Sequence, residues 1–329
     1  ALSVSGTSTI NANITTTGGQ TYTGATTLGA IVTLSASSIA TGSTFAAGTY
    51  ALTMTTDAIS LGGALSGSAA LVIQPKTTST TIALGTDATG ALKLDDTEIG
   101  YLSNGFSSIT LGSTTGTGAM AVNFATVPTF ADNLVIRSLS GAITAVDAID
   151  TATNTLTISS GGAVSVAGIT SGTLAITGTG ITLNGNITTS GTQTYTGAVT
   201  LGGSVTAAST GGSSTGNTIS FGSSVNGAQA LVVDAGVGAI SFASTVGNSA
   251  GLASISLTTS HATGITLTGN ITTTGTQTYT GAVRLASNTT LTTTNSNVQF
   301  GGTLNSDATT RTLIIAAGTG AVTFTGAVG

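Results

Sequence analysis

Residues 186–201 read NITTSGTQTYTGAVTL, and nearly the same sixteen residues return as NITTTGTQTYTGAVRL at 270–285 and as NITTTGGQTYTGATTL at 13–28. Self-similarity of this kind marks a repeat architecture, in which each unit buries its core by stacking on its neighbours. Within the phrase, Ile187, Tyr195, Val199 and Leu201 fall on odd positions, and Thr188, Thr192, Thr194, Thr196 and Thr200 on even ones. A period of two describes β-strands with one face packed inward and a threonine face outward. Gly191 and Gly197 stand where the chain bends.

The tyrosines give the spacing: 279 − 195 = 84, and 195 − 22 = 173, close to two such units. A second phrase, LVVDAGVGAISF at 231–242, returns as LIIAAGTGAVTF at 313–324, an offset of 82. Turn signals are dense, with Asn104-Gly105, Asn184-Gly185 and Asn226-Gly227 among them. Pro75 and Pro128 are the only prolines, so backbone N–H groups stay available for continuous ladders. The pattern predicts an all-β chain folded as a parallel β-helix (β-solenoid) of stacked coils, with a repeat unit of about 84 residues. With coils of roughly 20 residues, that unit is about four coils and the chain about 16. Tandem β-sandwich domains are the alternative for a unit of this size. The absence of Trp and the close spacing of the strands favour the solenoid.

Composition narrows the function classes. Only 5% of the 329 residues are charged, against roughly 25% in an average soluble domain. Disordered chains combine low hydrophobicity with high net charge, whereas this one is 40% apolar with a net charge of −5, so it is expected to fold. Five Lys and Arg cannot build a phosphate-binding stripe, which argues against nucleic acid. No apolar run approaches the ~20 residues of a membrane-spanning helix, and the absence of Cys excludes a disulfide framework.

Residues 1–329 read as one solenoid segment, with divergent, more charged rungs near 87–150. Nine of the fifteen charged residues lie there: Asp87, Lys93, Asp95, Asp96, Glu98, Asp132, Arg137, Asp147 and Asp150. The sequence opens on neither an initiator Met nor a signal peptide, and both ends cut through a repeat, so a segment of a longer protein is expected. Such ends would stack on more of the same polypeptide or on another copy, end to end into a filament.

The two phrases NITTSGTQTYTGAVTL and ALVVDAGVGAISF, with LKLDDTEIGYLSNGFSSITLGSTTGTGAMAV at 92–122, resemble the repeat regions of large bacterial exoproteins of the filamentous haemagglutinin type. The resemblance covers nearly the whole chain. It implies a right-handed parallel β-helix that is exported to the cell surface or secreted, and that serves as an adhesin stalk or surface fibre. Host or neighbouring-cell glycans are partners consistent with that role. The secretion-signal domain of that family is not visible in the sequence.

Candidate sites are few. His261 is the only histidine and no Cys accompanies it, so neither a catalytic triad nor a zinc site is expected. Asp95, Asp96 and Glu98 form the best charged cluster, three carboxylates within four residues that could offer oxygen ligands to Ca²⁺, and a solvated loop rim is the competing reading. A polysaccharide-cleaving β-helix would need paired carboxylates in an aromatic-lined groove, and aromatics are only 4% of the chain. A carbohydrate- or ice-binding β-solenoid is the alternative, and an ice-binding face would need a flat, regular threonine array. The repeat positions Tyr22, Tyr195 and Tyr279 read as core, and Asn13, Asn186 and Asn270 open each copy of the phrase. The expected function is structural and non-enzymatic, without cofactors.

Overall fold

The computed structural model describes residues 1–211 and 217–329. Among these residues the secondary structure is β throughout, apart from one short helix, Asp96–Gly100. Strands pair in parallel with strands one coil away, so the chain is a β-solenoid of about 16 turns rather than a string of antiparallel sandwiches. It divides into two compact units, Ala1–Val164 and Ser165–Gly329.

In the first unit each coil has three faces. One stacks Leu2–Val4, Gln20–Tyr22, Ile39–Thr41 and Ile59–Leu61, whose first residues lie 18, 19 and 20 apart (20 − 2, 39 − 20, 59 − 39). Alternation explains the core: in Val32–Ser35 and Leu52–Thr55 the aliphatic residues point in and the hydroxylated ones out, and Val32, Leu34, Leu52 and Met54 are buried. Coil length then changes within the charged stretch. Leu71 pairs with Ile109, Ile109 with Leu134 and Leu134 with Leu156, so successive coils hold 38, 25 and 22 residues (109 − 71, 134 − 109, 156 − 134). The longest carries the extra parallel pair Ile82–Leu84 with Leu92–Leu94, and the helix.

The second unit contains two full copies of the repeated phrase. Tyr195 stacks beneath Phe221, then Phe242, Leu267 and Leu285 on one face. Tyr279 lies on a different face, above Ile187, Ala207, Val233 and Leu257 and below Phe300 and Phe324. Four coils up from Tyr195 the chain has reached Leu285, one strand beyond Tyr279. The 84-residue repeat therefore spans three and two-thirds coils, not four, and the later of these two copies begins one face before the earlier one. Corner lengths cause the shortfall: six residues separate Ser254–Thr258 from Ile265–Leu267, but two separate Gln277–Thr280 from Val283–Leu285. The tight corners need glycine. Gly197 (φ +135) and Gly281 (φ +125) adopt backbone that L residues avoid, and a Cβ on either would strike the carbonyl oxygen of Gly178 or Thr259 in the coil below.

Candidate functional site

The repeated phrase builds a buried network of side-chain hydrogen bonds that recurs in each copy. Tyr22, Tyr195 and Tyr279 are buried, 1%, 0% and 0% exposed, and burial raises each phenol's pKa, that of Tyr22 to about 12. Each hydroxyl donates to the Oε1 of a buried glutamine two residues earlier: Gln20 at 3.0 Å, Gln193 at 2.8 Å and Gln277 at 2.9 Å. The glutamine Nε2 then donates across to the next coil, to the carbonyls of Ser35, Ala208 and Thr292 at 3.1, 2.8 and 2.9 Å. It also lies within reach of the Oγ1 of Thr16, Thr189 or Thr273, each of which donates at 2.6 Å to the glycine carbonyl at the corner. Burial of so much amide is tolerated because its polar atoms are paired.

Asn13, Asn186 and Asn270 have one common task. Their Oδ1 atoms accept from the backbone N–H of Thr33, Thr206 and Thr290, twenty residues on, at 2.7, 2.9 and 2.8 Å. Each asparagine thus ties its corner to the coil above. The rings diverge between copies. Tyr195–Phe221–Phe242 and Tyr279–Phe300–Phe324 form face-to-face columns with centroids 4.8–5.1 Å apart, whereas Tyr22 meets Phe45 edge-on at 6.2 Å. Gln20, Gln193 and Gln277 escape periodicity analysis, which scores them as polar. Their signal in the sequence is identity, Gln-Thr-Tyr in each copy.

The three clustered carboxylates face different partners. Asp95 caps the helix by accepting from Glu98 N–H at 2.9 Å, and Glu98 reciprocates through Asp95 N–H while also accepting from Leu61 N–H at 2.8 Å. Asp96 accepts from the N–H groups of Thr86, Ala125 and Thr126. Burial works against ionisation of Asp96, but these hydrogen bonds outweigh it and hold its pKa below the usual range. Glu98 is shifted up, chiefly by burial. Among the described residues no group of three or more His, Cys, Asp or Glu is arranged to hold a metal ion.

This use of carboxylates is general. Every acid except Asp87 accepts a hydrogen bond from backbone N–H, including Asp57 (Lys76, Thr77), Asp132 (Gly105, Phe106), Asp147 (Phe124) and Asp150 (Ala152). His261 serves its own turn, its Nδ1 accepting from Thr263 N–H at 3.0 Å. The outward row that begins at Thr33 runs Thr33, Thr53, Val72, Thr110, Val135, Thr157, so valine interrupts the threonines twice. No helix among the described residues is long and apolar enough to cross a membrane. Chemically, these arrangements fix backbone; none brings a nucleophile to a base. No protein-family model, curated protein or solved structure matches the chain.

Proposed function

We propose that the chain is a structural segment of a bacterial extracellular fibre or adhesin stalk of the filamentous haemagglutinin type, secreted or held at the cell surface, and non-enzymatic. The observation that carries this reading is where the polar chemistry goes. The buried amides, the capping asparagines and every carboxylate but one bind backbone of their own or a neighbouring coil, which is what a load-bearing scaffold requires.

The reading includes end-to-end self-association, the contact that parallel stacked coils of a fibre would make. External protease or antibody applied to intact native cells tests the placement: the chain is expected to be reached, and confinement to the cytosol would discard the fibre reading. Sedimentation tests the stacking, with association rising with concentration. A monomer at all concentrations would remove self-stacking.

A further inference from the structure

A recess lies beside Arg284 in the second unit. The six-residue corner 259–264 overhangs the two- and three-residue corners of the next two coils, leaving a step of about 340 Å³ on the outer face. Its volume is at the lower end for small-ligand sites. Thr263, Arg284, Thr303, Asn305 and Ser306 line it, and all five are exposed. Among the described residues none of these side chains makes a hydrogen bond or an ion pair. That separates them from Lys76 and Lys93, whose Nζ atoms donate to the carbonyls of Thr16 and Thr86.

Arg284 is also the residue that the fold does not need. The repeat has Thr27 and Thr200 at the same place in the phrase, so a threonine suffices for the strand. Asp307, the carboxylate whose ionisation Arg284 favours, is held by Arg311 through hydrogen bonds of 3.0 and 2.7 Å. With that carboxylate taken by Arg311, no acid among the described residues forms an ion pair with Arg284, in a chain whose net charge is −5.

We propose that this recess binds a polyhydroxylated carboxylate, of the class of a uronic acid residue in an acidic glycan. The guanidinium fork of Arg284 takes the carboxylate through two charge-assisted hydrogen bonds. Thr263, Thr303, Asn305 and Ser306 meet the sugar hydroxyls. No aromatic ring lines the recess for a sugar to stack on, so affinity rests on the charge, and neutral sugars are rejected.

Amide-resolved NMR titration of the whole chain with methyl glucuronide, methyl glucoside and acetate tests the inference. Methyl glucuronide is expected to shift the amides of Arg284, Thr303 and Asn305, with acetate about tenfold weaker and the glucoside silent. Arg284→Thr, the residue the repeat already carries, should keep the fold and weaken glucuronide binding by about tenfold or more. Arg284→Lys should fall between. Equal response to acetate would leave an anion site without sugar recognition and overturn the proposal. So would binding of the glucoside, unchanged binding by Arg284→Thr, or no shift at these amides up to the solubility limit. The result does not depend on whether the chain serves in a fibre.

Discussion

Gln193 is a primary amide with no solvent contact, and such a group persists only if its partners hold it from every side. It accepts from Tyr195 within its own coil and donates to Ala208 in the next, so it binds strand to strand both along and across coils. Gln193→Leu is expected to cost about 2–4 kcal/mol, because the tyrosine hydroxyl and the Ala208 carbonyl lose their partner in the core. Tyr195→Phe should cost about 1–2 kcal/mol by leaving Oε1 unpaired. The double variant, measured by denaturant unfolding, should lose clearly less than the sum; strict additivity would show that the two groups do not act together. Tyr195→Ala, which also empties the ring column, should cost about 3–5 kcal/mol. Period-two reading placed Ile187, Tyr195, Val199 and Leu201 inward, and all four are buried. It was blind to Gln193, because hydropathy cannot tell a buried amide with partners from an exposed one.

At the scale of elements, the loops of the irregular stretch are tied by carboxylates in addition to the ladders that run through it. The loop after Phe124 hangs from Asp96, and the turn before Phe106 from Asp132, through contacts 26–30 residues apart in the chain. Asp57 and Asp96 titrate below the ordinary carboxylate range. A depressed pKa contributes stability that is present above the unfolded value, near 3.9, and is lost as pH falls through the folded one. Glu98, shifted up, has the opposite sign: its burial disfavours the folded state at neutral pH, and protonation relieves this first on acidification. Hydrogen exchange at the amides of Thr86, Ala125 and Thr126 should therefore stay protected through the ordinary carboxylate range and lose protection only as pH falls below it. In Asp96→Asn protection should be weakened already at neutral pH, since an amide presents a donor where the second carboxylate oxygen accepts. Equal protection in both proteins at neutral pH would show that Asp96 anchors nothing. The charge cluster near 87–150 was legible in the sequence. Its partners were not, because nothing in the local pattern identifies a loop amide some 30 residues away as an acceptor's target.

At the scale of the whole molecule, the parallel solenoid was readable from the threefold phrase and its two-residue period, but the phase of the repeat was not. Phase depends on how many residues each corner holds, and corners of two to six residues carry the same Gly, Ser and Thr signals. Because the same phrase folds on two faces of the second unit, the faces are interchangeable for it. Excision of residues 186–269 joins Gly185 to Asn270 and restores the Asn-Gly-Asn-Ile sequence at the junction. The shortened chain should keep its β circular dichroism and a cooperative melt, as nearest-neighbour stability of stacked repeats implies. Loss of cooperative folding would show that each face makes its own demands. A unit three and two-thirds coils long works as a vernier. Had the unit been four coils, every amide–phenol knot and every tight corner would pile along one side and give the stack a stiff edge and a weak one. Displaced by a third of a turn, the two copies of the second unit set their knots and tight corners on different sides of the stack, so neither side of that unit collects both.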